Sequence, residues 1–268
     1  EAVVRKLPVN SESIEFKEWT ISYTKSHILK SVCSKGENAC PKDAGEHCEL
    51  CTYTHALELK HLPDMVFHKN FLSLLHKNGA KIEFNPMDAL KRVETGKKPI
   101  QVACAEEWRE NRPQQHTEEK VKPFDWTFTT DYEGTLNDKF QIEDTNQQID
   151  RMKLMQKETI IFYLDLTLFE DELHDNGISS CSVKIRVMPS GYFVLLRFFL
   201  RVDKVLIKIN DTRYHFEIEN NFVLKEFTCR EAKYEELEKV PPRLFTIPQE
   251  IEKFLPIKQM KSQKLIFK

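Results

Sequence analysis

The sequence predicts an α+β fold: a single domain over residues 1–268, built on a twisted antiparallel β-sheet with a few short helices. Three observations predict it. Apolar residues alternate with polar ones in segment after segment of the second half, with short turn signals between them. An Asn-Gly pair sits between two apolar runs in the first half. No flexible Gly- or Ser-rich linker separates the halves, so nothing divides the chain into two units.

Taken in order, Trp19, Ile21 and Tyr23 alternate with polar residues and predict a strand, followed by a helical turn over residues 26–31. Residues 33–51 are polar and cysteine-rich and read as a loop, the centre of an insertion over residues 33–61. Residues 71–76 and 80–84 flank Asn78-Gly79, a type I′ hairpin signal because both residues accept positive φ. Asn85 then caps a helix, with Pro86 at the first helical position and Asp88 near the positive end of the dipole; the helix is expected to run to about residue 94. Residues 109–122 read as irregular, 124–128 as an aromatic-rich strand ending at the 131–134 turn, and 136–150 as a loop. Asp150 caps a short helix carrying Met152, Leu154 and Met155.

The region 158–227 reads as an antiparallel meander of six strands. Ile160, Phe162, Leu164, Leu166 and Leu168 share one strand face; Val183, Ile185 and Val187 form the next. Residues 192–200 are nearly continuously apolar, as in a strand covered on both faces. Val205, Ile207 and Ile209 alternate again, and residues 214–218 and 222–227 pair across Asn220-Asn221. The tail from Pro241 is proline-punctuated, with a short helix over residues 249–254.

The 40 Lys and Arg against 42 Asp and Glu leave a formal charge of −2, so no global field draws the chain to nucleic acid or an anionic membrane. The longest apolar stretch, residues 192–200, is far short of the roughly 20 residues of a membrane span. Seven cysteines with no regular pairing pattern point to reduced thiols, hence to the cytosol or nucleus. With seven unclustered glycines there is no phosphate-cradling loop.

Two clusters have chemical character. Cys33, Cys40, Cys48 and Cys51 offer four thiolates, and Cys48-x-x-Cys51 has the spacing of one zinc knuckle, though Cys33 and Cys40 are spaced more widely; a closed site of this kind would hold structural zinc, and a cysteine-bearing surface loop is the plainer alternative. Glu170, Asp171, Glu172, His174 and Asp175 crowd a turn that offers metal ligands or acid–base groups for a hydrolase; the plainer reading is a solvated hairpin end. Asp88 is explained by capping, Asp211 by an Asx turn, and Ile209 by core packing.

Longer strings carry a resemblance. Lys122-Pro-Phe-Asp-Trp-Thr-Phe-Thr-Thr-Asp-Tyr-Glu-Gly134, Leu168-Phe-Glu-Asp-Glu-Leu-His-Asp-Asn-Gly177, Ser182-Val-Lys-Ile-Arg-Val-Met-Pro-Ser190, Asn210-Asp-Thr-Arg213 and Leu255-Pro-Ile-Lys258 resemble the TIPRL family of TOR signalling pathway regulators. The resemblance runs from about Trp19 to Phe267 and departs from the family over residues 33–61. It implies a non-enzymatic, monomeric, cytoplasmic protein needing no cofactor. Its implied partners are catalytic subunits of type 2A, type 4 and type 6 protein phosphatases, including their C-terminal tail, with activity held down. By position it implies phosphatase contacts at Asp88, Ile149, Ile209, Asp211, Arg213 and Phe227, with Ile209 in place of a methionine and Phe227 in place of a tyrosine. On that basis Ile149 and Ile209 are expected to be exposed and to fill pockets on the partner, with Asp88 and Asp211 accepting hydrogen bonds beside them.

Overall fold

Trp19 decides how the halves of the chain meet. Its indole lies 5.1 Å from the Tyr192 ring, 5.5 Å from Phe216 and 5.8 Å from Phe267, three rings contributed by a second sheet. In this computed structural model, which describes residues 9–36, 39–57, 59–93 and 127–268, two antiparallel sheets pack face to face.

The smaller sheet has the order β1 (Asn10–Phe16), β2 (Trp19–Lys25), β4 (Phe71–His76), β5 (Lys81–Phe84), β6 (Thr135–Leu136). The larger has the order β3 (Met65–Val66), β8 (Phe162–Asp171), β9 (Gly177–Met188), β10 (Gly191–Val202), β11 (Leu206–Glu217), β12 (Phe222–Lys233), β13 (Ile257–Phe267), β7 (Phe140–Asp144). Ile21, Leu72, Leu74, Ile82 and Phe84 from the small sheet meet Leu166, Val183, Ile185, Val194, Leu196 and Tyr214 from the large one in a single core. Alternation along each strand sends these residues inward and their neighbours to the opposite face.

That opposite face of the large sheet is roofed at one end. Phe199, Ile207, Ile209 and Ala232 pack there under Leu237, Phe245, Ile251 and Leu255, from the chain that follows β12. This chain includes two short 3₁₀ turns, Tyr234–Leu237 and Pro242–Leu244, then a helix, Pro248–Ile251, continued as a 3₁₀ turn, Glu252–Phe254. Among the described residues the other helices are α1 (Glu49–Ala56), α2 (Pro86–Lys91) and α3 (Arg151–Leu154), which makes Pro248–Ile251 α4.

The meander is present, with corrections. The chain forms five strands over residues 162–233 where six are expected over 158–227, because residues 206–217 run as one strand. The polar run at residues 210–213 does not break it, since those side chains are buried against one another and against neighbouring elements. Residues 136–150, expected as a loop, hold β7, and the tail beyond α4 holds β13; the two strands pair, Leu265 opposite Ile142. The hairpin at Asn78-Gly79 forms, but with a three-residue loop in which only Gly79 has positive φ, at 89°, rather than a type I′ turn. The Asn78 side chain completes the turn by accepting a 2.9 Å bond from the Ala80 amide. Residues 26–31 are not helical, and α2 stops at Lys91. Thr127 and Phe128 lie outside any strand, and Cys104, the 109–122 segment and residues 124–126 fall outside the described residues. Among the described residues no helix is long and apolar enough to cross a membrane.

Replacing Trp19 by Ala should empty the space between the sheets and lower stability by about 3–5 kcal/mol. Leu75→Ala, at a 42% exposed position on the outer face of β4, should stay within about 0.5 kcal/mol of the parent in urea denaturation.

Candidate functional site

Charged residues interrupt the outer face of the large sheet at its centre. Register places Arg197 of β10 directly opposite Asp211 of β11, Asp211 opposite Thr228 of β12, and Arg213 opposite Glu226. Arg197 donates to both carboxylate oxygens of Asp211, from Nε and Nη2, each at 2.7 Å. Arg213 donates to the same carboxylate at 2.6 Å, to Thr228 Oγ1 at 2.9 Å and to Glu252 at 3.1 Å. Glu252, at the end of α4, also receives Arg197. From the other side, the Ile149 amide donates to Glu226 at 3.4 Å, while Arg151 lies 3.6 Å from Glu226 and 3.8 Å from Glu252.

Three arginines therefore face three carboxylates, and all but Arg151, whose side chain is 51% exposed, are largely withdrawn from water. Burial opposes the Arg197 charge, but its hydrogen bonds to Asp211 and the charges of Asp211 and Glu252 outweigh that and raise its pKa above the usual guanidinium value. Isolated, any of these ions would cost several kcal/mol; together they offset one another, through a bidentate pair at Arg197–Asp211 and, at Glu226 Oε1, through ion pairs of 3.6 Å to Arg151 and 3.8 Å to Arg213 without a hydrogen bond.

The structure thus gathers four of the residues implied by resemblance. Asp211 and Arg213 are inside the network, Ile149 donates to it, and Ile209 lies two residues from Asp211 on the same face. The exposure expected of Ile149 and Ile209 is wrong, and Asp211 beside them is buried too. Ile209 is 0% and Asp211 1% exposed, because a sheet face that looks like a strand end in sequence is mid-strand and roofed by Leu237, Ile251 and Leu255. Ile149 is buried as well. Phe227 is buried on the opposite face, paired with Thr212.

Asp88 stands apart on α2. Its amide donates to the capping Asn85 Oδ1 at 2.8 Å, and its carboxylate accepts from Asn85 Nδ2 at 2.9 Å and Thr135 Oγ1 at 2.6 Å. That is the capping role its sequence position predicts.

What sequence reasoning missed is Arg197, Glu226 and Glu252. Arg197 interrupting an apolar strand was the available signal; the others look like ordinary surface charges until the register is known.

Two strips flank the network. On one side Leu154 of α3 accepts 2.9 Å from Arg186 of β9, so α3 lies across the same sheet face. On the other lies the α4 roof. Between them Thr167, Ser182, Lys184 and Leu195 stay half-buried, a strip of sheet face open to solvent that ends at Arg197.

The acidic turn does not assemble a donor set. Asp171 spends one oxygen on the Leu173 amide at 2.8 Å and the other on the Asp64 amide at 3.0 Å. Burial, then the charge of Asp64, push its pKa up to about 6. Leu173, His174 and Asp175 adopt left-handed backbone, φ 50°, 55° and 64°, which Asp171 helps to hold. The one cluster of metal-ligating residues among those described is the quartet Cys33, Cys40, Cys48 and Cys51.

Comparison with known proteins identifies the family. The TIP41-like family matches residues 65–238, spanning the large sheet from β3 to the first turn after β12. The chain belongs to the TIP41-like family. A TIP41-like protein of Homo sapiens is 46% identical over 256 residues, 94% of this chain and 88% of its own length. The type 2A phosphatase activator TIP41 of Saccharomyces cerevisiae is 36% identical over 85% of this chain and 65% of its own length. The type 2A phosphatase activator tip41 of Schizosaccharomyces pombe is 34% identical over 86% of each. In this TIP41-like chain the network lies within the matched region, apart from Glu252.

Asp211→Asn should cost about 3–5 kcal/mol, since it leaves Arg197 and Arg213 buried with too little negative charge. Arg151→Ala, at the exposed rim, should cost about 1 kcal/mol or less in the same denaturation assay. Asp171 has its own signature. Its folded pKa of about 6 lies above the ordinary aspartate value of 3.8, so its protonated form favours folding; that contribution is complete below about pH 4 and lost as the pH rises through about 6. Asp171→Asn should remove this fall from the stability–pH curve.

Proposed function

We propose that this chain is a non-catalytic regulator that binds catalytic subunits of type 2A-like serine/threonine phosphatases, those of types 4 and 6 included, and that it restrains the bound subunit within TOR signalling. Membership of the TIP41-like family, with two yeast relatives named type 2A phosphatase activators, is the observation that carries this reading. The network supports it physically. Replacing buried ion pairs by apolar residues is often neutral or stabilising, so a six-group network is poorly accounted for by stability alone and well accounted for by a site that must keep one geometry.

The surface beside it suits a peptide. The open strip between α3 and α4 is floored by extended backbone, and the elements on either side carry exposed apolar side chains: Met152 and Met155 on or just after α3, Phe254 just after α4. An extended phosphatase tail laid along it would meet apolar contacts at both walls and the Arg197 end of the network. In this arrangement Ile149, Ile209, Asp211 and Arg213 hold the elements that wall the strip, and Met152, Met155 and Arg151 touch the partner.

The chain, mixed with an active type 2A catalytic subunit, should co-elute with it and lower its turnover of a phosphopeptide. The double variant Met152→Glu/Met155→Glu, at positions 71% and 68% exposed, should keep the parent melting temperature and weaken binding at least about tenfold, about 1.4 kcal/mol. Removing the catalytic subunit's tail should weaken it too. No co-elution with an active subunit would end the proposal; binding accompanied by a rise in turnover would overturn restraint and favour direct activation.

A further inference from the structure

Residues 33–51, which precede the family-matched region, have almost no apolar core of their own. Where residues 33–51 fold back, the buried side chains among the described residues are Cys40, Cys48 and Cys51, with Cys33 and Leu50 packed against them. Such a segment cannot fix its backbone by hydrophobic burial, and small modules of this kind usually rely on a cross-link or a metal.

The sulfurs are arranged for a metal. Cys33 Sγ lies 3.6 Å from Cys40 Sγ, 3.6 Å from Cys48 Sγ and 3.8 Å from Cys51 Sγ, and all four sulfurs lie within 4.8 Å of one another. Zinc–thiolate bonds of about 2.3 Å in a tetrahedron place sulfurs about 3.8 Å apart. Four sulfurs converging on one point fit a single ion; thiolates spread over several irons of a cluster would stand further apart.

We propose that Cys33, Cys40, Cys48 and Cys51 form a structural tetrathiolate zinc site that fastens the 33–48 loop to the start of α1. The surrounding groups match that role. Cys48 is the N-cap of α1, its sulfur accepting from the Cys51 amide at 3.5 Å, and the Cys51 sulfur accepts from the Cys40 amide at 3.2 Å. These donors and the positive end of the helix offset the excess negative charge of four thiolates on a dication. His47 and His55 do not ligate: their Nε2 atoms lie 2.8 Å from the Pro41 carbonyl and 2.7 Å from the Cys40 carbonyl, so they brace the loop. With all four positions filled by protein, the ion has no open site for chemistry.

The far side of α1 is tied to the main body. Tyr53 donates to the His68 carbonyl at 3.0 Å, Glu49 reaches His68 at 3.0 Å, and Leu57 is buried in the main core. Zinc would therefore set where α1 stands, and with it one wall of the cleft lined by Leu29, Leu50, Leu57, Leu62 and Val66.

Elemental analysis of protein purified without chelator should find about one zinc per chain. Cobalt(II) in its place should give the sulfur-to-metal charge-transfer and strong visible bands of a tetrahedral thiolate site. Cys48→Ser and Cys51→Ser should lose the metal and the cobalt bands, and proteolysis should then cut within residues 33–51 while the two sheets stay intact. Cys181→Ser, in the main core, should retain the metal. Metal-free protein with disulfides among the four cysteines would overturn the proposal, as would iron in place of zinc, or a Cys48→Ser variant that binds zinc like the parent.

Discussion

The Arg197–Asp211–Arg213 contact is the constraint on which the arrangement of the outer face depends. Its members sit on adjacent strands in direct cross-strand register, with Glu226 and Thr228 completing the row on β12. A slip of one residue between β10 and β11 would turn the network towards the small sheet, against Trp19 and Phe84, and expose Val194 and Leu196 in its place. Neither error can be absorbed, so the buried charges specify register as strictly as the apolar alternation does. They also fix what lies above the sheet. Glu252 is held by two arginines, which sets the end of α4 over β10 and β11, and Glu226 holds the Ile149 amide, which sets the approach to α3.

Much of the sheet was legible because its physical cause is local. Strands β8, β9 and β10 advertise themselves by alternation or by an unbroken apolar run, and the turns between them by Asn, Gly and Pro. The parts that were not legible owe their structure to partners distant in sequence. Along β11, Asn210 to Arg213 looks like a turn because four polar residues in a row normally seek water; here Asp211 and Arg213 are paired, and Asn210 donates 3.1 Å to the Thr130 carbonyl, 80 residues away. Strand β13 is polar because most of it is open to solvent, only Gln263 and Leu265 being buried, and β7 because it is an edge. Neither has a periodic apolar face to read.

The site shows the same division. That Asn85 and Pro86 start a helix bearing Asp88 follows from three adjacent residues. That Ile209 is covered follows from Leu237, Ile251 and Leu255, which only the folded chain brings there. In the same way four cysteines can be counted in a sequence, but their convergence needs α1 to begin at Cys48 and the loop to turn Cys33 and Cys40 towards it.

Burial of the residues singled out by resemblance changes how their substitution should be understood. A buried hydrogen-bonded ion that touches nothing outside the protein can still govern binding, because removing it releases the elements whose outer surfaces make the contact. Asp211 tethers Arg197 and Arg213; these tether Glu252; Glu252 ends α4, which walls the open strip. Loss of Asp211 would reach a bound peptide through three links, and it would cost stability on the way. In the proposed binding mode a surface methionine on α3 would affect the peptide alone. The two kinds of residue are therefore separable by whether affinity and stability fall together, and in the proposed binding mode it is the second kind that makes the contact.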